Sequence, residues 1–202
     1  LKKLPDNYWD FKDDDTHSYT HGIHSYPAMM VSPISRNIIN IVKQFKDVTS
    51  LFDPFAGSGT VLVEGMLAGI QTVAGNDINP LALLLTKVKT TPLDVTELQN
   101  QYSELQTKLA IVYNKYDYVI QYIDDYITKT RGLDLTTKDG WGSDAPIYLN
   151  DFYQEFNIDL KAPQFKNIGY WFRPRVILEL SLIKKAILET ANKDIRDFFF
   201  VA

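Results

Sequence analysis

Cysteine is absent from this 202-residue chain, which excludes disulfides, thiolate metal sites and a cysteine nucleophile. No run of 18 apolar residues occurs, so nothing in the sequence reads as a membrane-spanning helix. Leu1-Lys2-Lys3-Leu4-Pro5 lacks the apolar stretch of a secretory leader, and a first residue other than Met reads as a trimmed chain. A cytoplasmic location is expected. Charge of one sign is scarce as well: 21 Lys and Arg stand against 25 Asp and Glu, a net charge of −4. A free-standing duplex binder carries a strong basic footprint. Here the basic residues gather only locally, as Arg173 and Arg175 do beside Tyr170-Trp171-Phe172. No Pro-Pro dipeptide occurs anywhere. What is present, 45% hydrophobic and 13% aromatic residues, suffices for one good core but not for two large domains.

The most informative segment is Asp53-Pro54-Phe55-Ala56-Gly57-Ser58-Gly59-Thr60. Apolar Ser50-Leu51-Phe52 leads into it and the run Val61 to Ala68 leads out, so it reads as strand, glycine turn and helix start. Glycines let backbone approach a ligand closely, and a helix N-terminus offers unpaired N–H groups to an anion. Gln71 to Gly75 reads as a second strand ending in Asn76-Asp77. An acid at that strand tip, about 20 residues past the glycine turn, is placed to accept hydrogen bonds from a ribose. The turn lacks the third glycine of the dinucleotide fingerprint and the Gly-Lys-Ser/Thr of a phosphate loop. A βα turn with glycines serving only tight packing is the plain alternative.

The octapeptide resembles the cofactor motif of the S-adenosylmethionine-dependent amino-methyltransferases, most closely the DNA adenine-N6 and cytosine-N4 enzymes. The resemblance covers residues 21–90. It implies an α/β fold, a partial Rossmann-like methyltransferase sheet interrupted by a long helical insertion. It also implies S-adenosylmethionine as cofactor and DNA as partner. By resemblance, Asp53 meets the amino group of the methionine part, and Pro54, Phe55 and Ser58 complete the motif. Gly57 and Gly59 allow close approach, Thr60 hydrogen-bonds the carboxylate, Asp77 takes both ribose hydroxyls and Ile78 lies on the adenine face. Upstream, His21-Gly22-Ile23-His24-Ser25-Tyr26-Pro27-Ala28-Met29-Met30 matches the loop that lines the methionine end in this family, which puts Tyr26, Pro27 and Ala28 there. Plain core contacts at a helix entry are the other reading of Tyr26 and Met29. Lack of cysteine argues against the ring-carbon cytosine enzymes, whose attack on the base needs a thiolate.

The rest of the chain divides as follows. Residues 1–22, with Asp10, Asp13, Asp14 and Asp15, read as a loose arm, and residues 23–93 as the cofactor-binding α/β unit. Within the latter, Ser32 is expected to cap a helix with Pro33 at its first position, burying Ile34, Ile38, Ile41, Val42 and Phe45. Asn79-Pro80 opens another helix, which Thr91-Pro92 ends. Leu98, Tyr102, Leu105, Leu109, Val112, Tyr116, Ile120, Ile123 and Ile127 form one helical apolar face, a 94–131 insertion that is either continuous or a hairpin broken near Asn114. Residues 132–202 are assigned to the remainder of the α/β domain. There Ile147 to Asn150 reads as a third strand with Asp151 at its tip, facing the cofactor's adenine amino group. A helix follows from Pro174 to about Thr190, with Val176, Leu180, Ile183 and Ile187 on one face. The closing run Asp197 to Ala202 is apolar and reads as a cut edge.

Methyl transfer to an amine needs an acceptor for its hydrogen bonds and an aromatic to stack the flipped base. The family supplies these as Asp, Asn or Ser, then Pro-Pro, then an aromatic, and nothing here fits. No catalytic residue is assigned; the catalytic part is expected beyond Ala202 or on a second chain. No metal ligand set is read. Two other assignments remain open: an RNA methyltransferase acting on guanine N2, which Asp77-Ile78-Asn79-Pro80 fits, and a non-catalytic fragment that binds cofactor or a partner.

Overall fold

The computed structural model describes residues 8–15, 17–27, 29–136, 141–165 and 167–202. It is a mixed α/β chain, mostly helical, that divides into two compact units: Leu1–Asp94 with Lys193–Ala202, and Val95–Asn192.

In the first unit a short 3-10 turn, His21–Ile23, precedes α1 (Ser32–Lys43), β1 (Ser50–Asp53), α2 (Thr60–Leu67), β2 (Thr72–Gly75) and α3 (Pro80–Thr90); α8 (Lys193–Val201) returns to it. The strands are parallel and in register, Ser50 opposite Thr72 through Asp53 opposite Gly75. Leu51 and Val73 face α2, where a Cβ at Gly65 would stand 3.1 Å from Val73 and 3.3 Å from Leu51. Glycine there lets the helix lie directly on the strands. The sheet is smaller than the sequence leads one to expect. Two strands form it among the described residues, and helices do not cover both faces: α1 and α3 contact α2, while Phe52 and Ala74 on the far side are exposed.

Three further expectations are corrected in this unit. Ser32 opens α1 but makes no cap; its hydroxyl is buried without a partner among the described residues, and Val31 occupies the cap position. The buried side of α1 is Ser32, Pro33, Ser35 and Ile39, whereas Ile38, Val42 and Phe45 are exposed. Small side chains face α2 and let the two axes approach, so packing overrides the apolar stripe. Finally, Thr20 and His21 are fastened rather than loose: Thr20 Oγ1 donates to the Lys89 carbonyl at 3.0 Å, and His21 is buried.

The closing apolar run is helix α8, not a bare edge. Ile195 and Val201 are buried, and Val201 and Phe198 join Leu85, Val88, Ile23 and Tyr26 in one cluster. Lys87 Nζ on α3 bridges Asp194 Oδ1 and Asp197 Oδ2 of α8, each at 2.7 Å. Lys87 holds the Asp197 carboxyl below its ordinary value. A depressed native pKa gives stability that is present above the unfolded value, about 3.9, and lost as pH falls through the native one. The melting temperature should therefore drop between pH 5 and 3 by more in the parent than in Asp197→Asn. Equal drops in the two proteins would show that this pair contributes nothing.

The second unit is helical. It holds α4 (Val95–Arg131), α5 (Ala145–Glu155), α6 (Ile168–Trp171) and α7 (Pro174–Leu188). The expected insertion is one continuous helix with no break at Asn114. Its residues Ile120, Ile123 and Ile127 pack with Leu149, Phe152, Tyr153, Leu178 and Leu182 in the main core. Asp124 of α4 accepts from the Arg175 backbone N–H at 2.9 Å, which satisfies one of α7's unpaired first-turn donors. The face expected for α7 is shifted by about one position: Ile177, Leu178, Leu182, Ala186 and Ile187 are buried, and Val176 and Leu180 are exposed.

The third strand is not found. Ile147–Asn150 lies inside α5, which Pro146 opens and which buries Ala145, Leu149, Phe152 and Tyr153. Asp151 therefore stands at no strand tip; it pairs with Arg131 on the same unit's long helix. Arg175 is likewise engaged, with Glu179 and Gln121, which removes half of the small basic footprint. No described helix is long and apolar enough to cross a membrane.

Candidate functional site

The two strand tips and the glycine turn meet at one place. Asn76 N–H donates to the Asp53 carbonyl and Ala56 N–H to the Asn76 carbonyl, both at 2.9 Å, so the two chains stay adjacent past the sheet. Gly57 and Gly59 take φ of +51° and +82°, the left-handed region where glycine is at home. At Gly57 nothing lies within 4 Å of where a Cβ would project, so open space borders the turn. At Gly59 a Cβ would stand 3.0 Å from the Thr86 backbone, so a side chain there has no room.

Asp77 organises this corner. Its Oδ2 accepts from Gly57 N–H at 2.8 Å, across the 20 residues that separate them, and its Oδ1 accepts from Asn79 N–H at 2.9 Å. These backbone donors, Asn79 first and then Gly57, hold the Asp77 carboxyl below its ordinary value. Each oxygen keeps a lone pair for a further donor. Ile78 beside it is 99% exposed and Phe55 is 86% exposed, so two bare apolar side chains follow the two strand-tip acids. Asp53 Oδ1 accepts from Phe55 N–H at 3.0 Å, which fixes the start of the turn. Thr86 Oγ1 of α3 donates to the Gly57 carbonyl at 3.0 Å and holds the turn from the other side.

The remaining expected residues fall around the same corner. Gly59 caps α2 and Thr60 begins it, both buried. Ser58 is buried, with a hydroxyl that has no partner among the described residues. Pro54 is exposed. Tyr26 is half-buried, its hydroxyl accepting from Asn79 Nδ2 at 3.0 Å, and Pro27 next to it is exposed. Ala28 lies outside the described residues. Met29, Met30 and Val31 share a cavity of about 130 Å³ with His17, His21 and Thr60. Thus the upstream loop and the first turn of α2 border one space.

A buried ionic cluster supports this arrangement, and sequence reasoning did not find it. Glu64 of α2 is 1% exposed; it accepts from Arg36 Nε at 2.9 Å and Nη2 at 3.0 Å, and from His21 Nε2 at 3.0 Å. Hydrogen bonding to Glu64 raises the Arg36 guanidinium further still. Lys89, also buried, donates to the His21 carbonyl at 3.3 Å, and burial pushes its ammonium down. A Glu inside an apolar helix, Val61-Leu62-Val63-Glu64, was the available signal, since a carboxylate there needs partners. Larger cavities, of about 420, 370 and 250 Å³, belong to the second unit. No metal-binding cluster of His, Asp or Glu exists among the described residues.

Residues 23–114 match the family model described as RMKL-like, methyltransferase domain. The chain is 32% identical, over its whole length, to the Type II methyltransferase M.MvaI of Kocuria varians, and covers 37% of that protein. It is 26% identical, over 88% of its length, to the Type II methyltransferase M.MjaII of Methanocaldococcus jannaschii, again covering 37%. The chain therefore spans little more than a third of the length of the curated relatives it matches. No solved structure matches it. Residues 23–114 are thus similar to a methyltransferase domain, the resemblance that the glycine turn also carries.

Proposed function

We propose that this chain is the cofactor-binding part of a DNA methyltransferase that uses S-adenosylmethionine and acts on an exocyclic amine, adenine N6 or cytosine N4. The observation that carries it is the Asp77–Gly57 hydrogen bond, which joins the second-strand acid to the glycine turn around one open corner. In this reading β1, α2 and β2 are the first half-turn of a Rossmann-like sheet, with the ligand at the carboxyl ends of the strands. Bound S-adenosylmethionine supplies an electrophilic methyl group. Asp77 accepts from the ribose hydroxyls, Ile78 lies against the adenine, and Asp53 faces the amino group of the methionine part. Gly57 and Gly59 keep the backbone close, and Thr60 meets the carboxylate at the positive end of α2. Tyr26 and Pro27 line the methionine end.

DNA as acceptor is supported by the two Type II relatives, a term of restriction–modification enzymes. The run Asp77-Ile78-Asn79-Pro80 favours the guanine-N2 RNA reading, and DNA and RNA acceptor assays on the whole protein decide between them. The acid–Pro-Pro–aromatic motif has no counterpart in the 202 residues, so the proposal gives this chain the cofactor and not the acceptor base. Titration calorimetry tests it. One equivalent of S-adenosylmethionine or S-adenosylhomocysteine should bind, and a chain that binds neither sinks the assignment.

A further inference from the structure

We propose that Asn79 is a positioning residue that latches Tyr26 onto the Asp77 corner, so that the two ends of the cofactor crevice are held as one unit. The proposal rests on the S-adenosylmethionine reading of that corner. Besides the helical bond from Leu83 N–H to its carbonyl, Asn79 makes three hydrogen bonds in three directions. Its Oδ1 accepts from Leu81 N–H at 3.0 Å and caps α3; its backbone N–H donates to Asp77 Oδ1 at 2.9 Å; its Nδ2 donates to the Tyr26 hydroxyl at 3.0 Å. The cap decides the amide's orientation, because only the oxygen can take an N–H, and that leaves Nδ2 facing Tyr26. Nδ2 can only donate, so the Tyr26 oxygen accepts and the hydroxyl proton is left over for a ligand acceptor.

The loop that delivers Tyr26 is fixed independently. Thr20 binds the Lys89 carbonyl, His21 binds Glu64, and His24 Nδ1 donates to the Val201 carbonyl, each at 3.0 Å. The Tyr26 ring packs against the cluster of Leu85, Val88 and Val201. With the ring and loop held, the hydroxyl cannot move to find another donor, so the Asn79 contact sets where its proton points. Residues assigned to the methionine end and to the ribose end are thereby linked through one amide.

The test is calorimetry of the 202-residue chain with S-adenosylhomocysteine, on Tyr26→Phe, Asn79→Ser and the double variant. Phe keeps the packed ring; Ser keeps a cap acceptor but is too short to reach Tyr26. Each single variant should lose affinity by about five- to tenfold, and the double should lose no more than either alone, because both remove one contact. Thermal midpoints of the unliganded proteins should stay within about 2 °C of the parent, which a merely structural contact would not allow. Parent-like affinity in Asn79→Ser, or losses that multiply in the double variant, would overturn the latch. Asp77→Ala separates the two levels. If the parent does not bind, or Asp77→Ala binds like the parent, the cofactor reading falls and the latch with it. If Asp77→Ala is weak and Asn79→Ser is not, the latch alone falls.

Discussion

Replacing Glu64 by methionine is expected to destabilise the first unit by about 3 kcal/mol, the lower end for breaking a buried ion pair. The carboxylate serves two partners that differ in what they can do without it. Arg36 is 41% exposed at its side chain and can turn its guanidinium to water. His21 is 3% exposed, and its Nε2–H would be left in the interior with no acceptor. Its other nitrogen already lacks a partner among the described residues, so the ring cannot compensate by changing tautomer. The loss should appear in urea unfolding as a lowered midpoint at unchanged slope. Arg36→Met in parallel should leave His21 bonded to Glu64. A loss below about 1 kcal/mol for Glu64→Met would mean that water reaches His21 and that the cluster is not a sealed one.

That cluster marks where sequence reasoning ran out and why. The glycine turn was legible because its determinants are local: a short strand before it, positive φ at Gly57 and Gly59, and Thr60 starting a helix that needs no distant partner. Asn79-Pro80 was legible for the same reason, the cap and the fixed proline φ lying within three residues of the helix start. The His21–Glu64–Arg36 cluster joins positions 28 and 43 residues apart, and nothing in periodicity brings three such segments together. Thr86 was missed likewise, since its bond to Gly57 depends on α3 lying beside the turn.

Two misreadings have a sharper cause. Ile147 to Asn150 is a run of four residues, too short for period two and period 3.6 to differ. What decides it is the longer spacing Leu149, Phe152, Tyr153 together with Pro146 at the helix start, and these give α5. For α1 the apolar stripe was real, but it is not the side that is most deeply buried. Ser32, Ser35 and Ile39 are buried, near Arg36, which reaches Glu64 of α2, while Phe45 remains 71% exposed. A charged tether and close approach outweighed apolar area. The residues that could be named from the sequence lie in or next to the two strand tips and the turn; Thr86, Arg36 and Glu64, which hold that corner from other helices or deeper in α2, could not.

Asp77→Ala should weaken S-adenosylmethionine binding by about ten- to a hundredfold, the loss expected when two ligand hydroxyls forfeit a charged acceptor. Two backbone groups lose theirs at the same time, Gly57 N–H and Asn79 N–H, so the glycine turn loosens as the ligand contact goes. This makes Asp77→Asn an informative variant rather than a mild one. Both carboxylate oxygens accept from N–H groups, so the amide nitrogen must face one donor or the other, and Asn should bind about as poorly as Ala. The pH dependence follows from the same bonds. Backbone donors hold Asp77 below the ordinary carboxylate value, about 3.9, so it stays ionised throughout the neutral range. Affinity should be level from pH 8 to 5 as far as this group is concerned, and fall only as pH drops below about 4, when the acceptor gains a proton. Calorimetric titration of parent, Ala and Asn variants across that range reads all three expectations. Parent-like binding by the Asn variant would mean that the ribose is held elsewhere.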